Sequence, residues 1–143
     1  MRENFRDRAL VIRTYDFGEA DRIIVLLTRH HGLVRGVAKG VRRAKSRFGS
    51  RLQLFVNLDV QLYPGRNLYT ISQADTVDYF GARIIEDYDR YTAACAALES
   101  AERLAAADAP GDPYLYDACV DVLTNLQHGD PVSYTHLTLP TKA

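Results

Sequence analysis

Between Asp21 and Asp59 the chain contains no aspartate or glutamate, although its 143 residues hold 18 of each charge sign in total. Tryptophan is absent, methionine occurs once and cysteine only twice, as Cys95 and Cys119. The two cysteines lie far apart with no C-x-x-C pair, which argues against a thiolate metal site and identifies both as small core hydrophobes. No apolar run approaches the roughly 18 to 20 residues of a membrane span. The N-terminal stretch MRENFRDRALVIRTYDFG lacks the apolar core and cleavage site of a secretory signal, so the expected compartment is the cytoplasm.

The hydrophobic (47%) and charged (25%) fractions suit a globular chain with a real core. Charge is strongly segregated beneath the net value of zero. Residues 1–21 carry four basic and five acidic side chains, residues 22–58 nine and none, and residues 59–143 five and thirteen. A local positive field attracts polyanions whatever the total charge.

The first eighty residues have strand texture. RALVIRTY from Arg8 and IIVLLT from Ile23 are rich in branched residues, and HHG ending at Gly32 supplies a turn into LVRGVAKGV. In LFVNLDVQLY the apolar Leu54, Val56, Leu58, Val60 and Leu62 alternate with Phe55, Asn57, Asp59, Gln61 and Tyr63, the period of a strand with one buried face. PGRN at Pro64 then turns into a fifth strand, LYTISQADTV. Five short strands with small residues at Gly36, Ala38 and Gly40 predict a small closed barrel, and strand count alone does not separate an OB-fold from an SH3-like barrel.

After Gly81 the period becomes helical. Ile84, Tyr88, Tyr91, Cys95, Leu98 and Ala105 fall on one predicted stripe. APGD breaks that helix, Asp112 is a candidate cap with Pro113 at the first position, and Leu115, Cys119, Val122, Leu123 and Leu126 form a second stripe. The fold class is therefore α+β, with a five-stranded barrel over 1–80 and part of a helical domain over 81–131. The terminal VSYTHLTLPTKA has neither helical period nor charge pattern. It resembles an in-frame translation of a sequencing adapter, so residues 132–143 are expected to be non-native and the helices to lack part of their cover.

Catalytic patterns are not apparent. GVAKGVRR does not have the G-x-x-x-x-G-K-[ST] spacing that converges backbone amides on phosphate, so Gly36 and Gly40 are expected as small residues within a curved strand. His30 and His31 suit a polar turn rather than a metal site. Glu19 with Asp21, and Glu86 with Asp87 and Asp89, suit a solvated loop and a helix N-terminus. No nucleophile stands with a base. No enzyme activity, small-molecule substrate, cofactor or metal is expected.

The stretch GVAKGVRRAKSRFGSRL, from Gly36 to Leu52, holds Lys39, Arg42, Arg43, Lys45, Arg47 and Arg51. Solubility alone is served by mixed signs, whereas this region excludes acids. Arg35 and Lys39 share a strand face with Val37 and Val41, so the charge runs from sheet into loop as a track. Phe48, among Lys45, Arg47 and Arg51, is either a platform on which bases stack or an anchor that packs the loop. A polyanion is the expected partner.

The order of these motifs resembles the N-terminal domain of RecO, the DNA repair and recombination mediator, in its high-GC Gram-positive form. The resemblance is carried by Y-D-x-G-E-A-D from Tyr15, G-L-V-R-G-V-A-K-G-V-R-R from Gly32, K-S-R-F-G from Lys45 and the strand-turn-strand that ends near Asp75, and it extends from residue 5 to 128. It implies an OB-fold followed by the start of a helical domain. It further implies binding of single- and double-stranded DNA in a nucleoid-associated setting, annealing of complementary strands, and loading of the recombinase RecA together with RecR. Arg35, Lys39, Arg42, Arg43, Lys45 and Arg47 match the family's basic strand and loop as DNA contacts, with Arg13, Arg51 and Arg66 beside them. Family members continue for roughly another hundred residues of helices, often with a zinc site. The resemblance implies single-strand binding protein as a further partner, docked on that helical part, to which the zinc site also belongs; no metal is expected of the residues present. Two rivals share the chemistry: an adaptor whose track receives an acidic protein tail, and an RNA-binding OB module.

Overall fold

The computed structural model describes residues 3–43, 48, 51–107 and 113–129. Lys45, Arg47, the candidate cap Asp112 and the tail from 132 lie outside the described residues. Five strands come first: β1 (Phe5–Phe17), β2 (Asp21–Thr28), β3 (Leu33–Ala38), β4 (Val56–Pro64) and β5 (Tyr69–Tyr79). They close into a barrel in the order β1-β2-β3-β5-β4, antiparallel except where Gly36 and Val37 of β3 run parallel to Tyr69 and Thr70 of β5. Three helices follow, α1 (Gly81–Ile84), α2 (Tyr88–Ala107) and α3 (Tyr114–His128). The α+β class and the five-stranded barrel of the sequence reading are both present. Among the described residues no helix is long and apolar enough to cross a membrane.

The barrel interior is filled from alternate positions. Val56, Leu58, Val60 and Leu62 of β4 meet Ala9 and Val11 of β1, Ile24 and Leu26 of β2, Val34 and Ala38 of β3, and Ile71 and Ala74 of β5. Gly36 occupies the one place on β3 with no room: a Cβ there would sit 2.8 Å from Ile71 Cγ1 and 3.4 Å from Leu62 Cδ2. Gly40 differs from expectation. The strand stops at Ala38, and Gly40 takes φ +69° in the turn that follows, a conformation that favours glycine.

A second core lies outside the barrel. Leu10 and Ile12 of β1 and Val25 and Leu27 of β2 point away from the interior and pack against Ala94, Leu98 and Ala101 of α2 and Tyr116, Cys119, Leu123 and Leu126 of α3. Phe55 joins this group rather than an exposed strand face. It stands just before β4 at φ +70°, buried to 1%, with its carbonyl accepting from Phe80 N (2.8 Å) and its ring edge-on to Tyr91.

The predicted α2 stripe is rotated. Tyr88 and Tyr91 are exposed, and the buried row is Arg90, Ala94, Leu98 and Ala101. The cause is a break after Ile84: Asp87 Oδ1 accepts from the N–H groups of Asp89 (3.0 Å) and Arg90 (3.3 Å), starting a new helix and resetting its phase. Arg90, 2% exposed, then donates to the carbonyls of Gln127 (3.2 Å) and Gly129 (2.6 Å), which ties the start of α2 to the end of α3. On α3 the row is Tyr116, Cys119, Leu123 and Leu126, with Val122 exposed. Pro113 itself occupies the N-cap. Burial pushes the Cys119 thiol up to about 12, as suits a core hydrophobe.

Candidate nucleic-acid interface

Side chains opposite one another in an antiparallel pair share a face, so the pairing of β1, β2 and β3 defines one outer surface. Its rows are Arg13–Val25–Arg35 and Tyr15–Ile23–Val37, followed by Phe17–Asp21. A register shift between Val11 and Arg13 brings Arg13, rather than Ile12, opposite Val25. The helices cover the Leu10, Ile12, Val25 and Leu27 part of this surface and stop there. At the limit of the cover Arg13 makes a two-pronged ion pair with Glu102 of α2 (3.1 and 2.8 Å), and its guanidinium lies 5.3 Å over the Tyr15 ring. The hydrogen bonds that Arg13 donates to Glu102 raise its pKa above the ordinary value.

The basic residues of the acid-free stretch fall into two groups. Arg22 is held by Asp16 at 3.1 Å, and Arg29 forks onto Asp117 of α3 at 3.0 and 3.2 Å. Arg42 sits 3.7 Å from Asp16 with its backbone N–H on Ala20 O, so its charge is shared with the β1–β2 hairpin. By contrast Arg35, Lys39 and Arg43 are exposed and, among the described residues, carry no ion pair. Arg35 points outward from β3 while Gly36 and Ala38 stay inside, as the alternation predicted. Lys39 belongs to the following turn rather than to the strand, and that turn is fastened to the hairpin by Gly40 N donating to Asp21 Oδ1 at 2.7 Å.

Phe48 requires a correction. It is buried to 3% within the barrel core, packed with Leu52 and Val56, and therefore anchors the loop; its ring presents no open face for a base. Arg51 is exposed and lines an open cleft of about 250 Å³ with Phe48 and the β5 segment Ser72, Gln73, Ala74 and Asp75. Arg66 is exposed on the β4–β5 turn, which leads into Tyr69, the β5 residue paired with Gly36 of β3. Arg13 is beside Arg35 in register but committed to Glu102.

Two aromatic residues went unremarked in the sequence reading. Tyr15 and Phe17 are 37% and 45% exposed on the same outer surface as Arg35. Their signal was present, since both alternate outward with Arg13 at the end of the strand, but it was hidden by the motif Y-D-x-G-E-A-D that contains them.

The two histidines form a built turn. Asp7, 7% exposed, accepts from the backbone of Arg8 (2.8 Å) and His30 (2.8 Å), and its Oδ2 lies 2.8 Å from His31 Nδ1. The His31 ring stacks on Phe5 with centroids 3.7 Å apart. Among the described residues no group of three or more His, Cys, Asp or Glu could hold a metal ion.

Residues 1–80 match the family model described as recombination protein O N terminal, which takes in the whole barrel and more than half of the chain. The chain belongs to the RecO family. Its barrel is the OB-fold of the RecO N-terminal domain, and membership gives it a general role in DNA repair and recombination with DNA-related partners.

Proposed function

We infer that this RecO-family chain binds single- and double-stranded DNA without breaking or forming a covalent bond, that it brings complementary strands together, and that it acts with RecR in loading RecA. The observation that carries the DNA-binding part is the set of cations Arg35, Lys39 and Arg43, exposed around one strand and turn with no acid paired to them among the described residues. An unpaired cation keeps its full Coulomb attraction for phosphate, whereas Arg22 and Arg29 already spend theirs on Asp16 and Asp117. Neutralising the phosphates of two strands lowers their mutual repulsion, which is sufficient physics for annealing.

The test is charge reversal with a salt series. Arg35→Glu, Lys39→Glu and Arg43→Glu together should abolish oligonucleotide binding measured by fluorescence anisotropy, and each single change to Ala should lower the salt slope by about one phosphate. The same reversal at Arg22 and Arg29 should change binding far less. Equal affinities for wild type and the triple reversal across the salt series would reject the assignment. The RecR part is tested separately, by pull-down with purified RecR in the presence and absence of oligonucleotide; no capture in either case would remove it.

A further inference from the structure

The geometry points to Tyr15 and Phe17 as a base-stacking platform for single-stranded nucleic acid, oriented by α2 through Glu102 and Arg13. This rests on the DNA-binding reading above and names the form of nucleic acid that the surface takes. Three observations converge on it. Tyr15 and Phe17 lie two residues apart on an extended strand, about 7 Å by the rise of a strand, on one face. That face also carries Ile23 and Val37, which are buried, and Arg35, which is exposed, so a cation without an ion pair adjoins the rings. The helices that cover the rest of the surface reach the sheet at the Arg13–Glu102 pair, and the Arg13 guanidinium lies over Tyr15.

The occupant follows from charge and shape. Exposed aromatic rings next to cations suit a strand whose phosphates track the charge while its unpaired bases stack. Acids stand near the rings as well, with Glu19 exposed in the hairpin. Asp21 accepts from Gly40 N, and Asp16 is held by Arg22 and approached by Arg42. One face of Tyr15 is already capped by Arg13, which Glu102 holds by two hydrogen bonds, so the ring is fixed before a base arrives on its other face. Duplex DNA keeps its bases stacked within the helix and cannot use the rings, only the charge.

The experiment compares the full chain with Tyr15→Leu/Phe17→Leu, Tyr15→Phe and Glu102→Gln, using labelled oligothymidylate, the matching duplex and oligouridylate across a salt series. The leucine pair keeps apolar bulk and loses the π faces. It should weaken oligothymidylate binding by about 5- to 100-fold, with the salt slope unchanged and the duplex affected by less than about twofold. Tyr15→Phe should bind as wild type, and Glu102→Gln, which leaves both rings in place, should weaken single-strand binding by a few-fold. Equal binding of oligothymidylate by wild type and the leucine pair overturns the platform while leaving the DNA-binding reading intact. A wild type that binds neither single strand nor duplex at low salt overturns both. Equal loss on single strand and duplex, or displacement of oligothymidylate by an acidic peptide that is itself sensitive to the leucine pair, also overturns the platform. A leucine-sensitive preference for oligouridylate supports stacking and assigns the strand to RNA.

Discussion

The outer surface of β1, β2 and β3 is one sheet face with two fates. Under the helices its residues are Leu10, Ile12, Val25 and Leu27, each 5% exposed or less, whereas beyond Arg13 they include Tyr15, Phe17 and Arg35, all open to solvent. The backbone pairing continues through both halves, so strand geometry does not distinguish them. What does is side-chain chemistry. Four aliphatic residues lose little by leaving water and gain a core, while rings beside unpaired cations can meet a charged, planar ligand only if nothing covers them. Helix cover therefore serves two purposes: it stabilises the barrel and defines where its open surface begins.

The comparison is broken most severely from the covered side. Leu123→Ala, at a fully buried site between the helices and the barrel, should cost about 2 to 5 kcal/mol in denaturant unfolding. Tyr116→Phe is a finer cut. It removes the hydroxyl that donates to buried Asn57 Oδ1 at 2.7 Å and leaves that oxygen without its donor, for an expected loss of about 1 to 3 kcal/mol. On the interior side, Gly36→Val forces methyls against Ile71 and Leu62 and should cost about 1 to 3 kcal/mol. The open half should respond the other way: Tyr15→Leu/Phe17→Leu should move unfolding by no more than about 0.5 kcal/mol while lowering single-strand affinity. A stability loss there as large as that of Leu123→Ala would show that the open half is structural after all.

The smallest effect is in acid. Hydrogen bonds from Arg29 hold the Asp117 carboxyl below its ordinary value, and those from Arg6 do the same for Asp59. A depressed carboxylate contributes stability that is present above its unfolded pKa of about 4 and is lost as pH falls through the lower folded value. Asp117→Asn should flatten this acid-side decline in a thermal-melt series, and because the Arg29–Asp117 pair links the β2–β3 hairpin to α3, the flattening should follow detachment of the helices rather than melting of the barrel. An unchanged acid profile would assign the decline to other groups. At neutral pH neither exposed pair is expected to contribute much.

The barrel was legible because its strands obey a period of two, and a row such as Val56, Leu58, Val60 and Leu62 has one way to hide from water. The helices were legible as helices, but not their phase. A single side chain, Asp87, starts a new helix and rotates the buried row from Tyr88 and Tyr91 onto Arg90 and Ala94. A buried arginine violates simple hydrophobic patterning, and it is tolerated because two carbonyls at the end of α3 accept from it. Phe48 shows the same limit from the other side, since an aromatic among cations reads equally as platform or anchor until burial decides it.

For the candidate site, the acid-free stretch was visible by counting, and its match to the RecO pattern was visible by order. Which cations are unpaired was not. Arg22 and Arg42 meet Asp16 across the β1–β2 hairpin, and Arg29 meets Asp117 from 88 residues away, contacts that depend on closure of the barrel and docking of α3. The linear sequence determined the strand period, the sign of the charge and the family. Tertiary structure alone decided which cations face water without a partner and which aromatic rings share their face, because ion pairing and burial depend on distances between residues that the chain brings together only on folding.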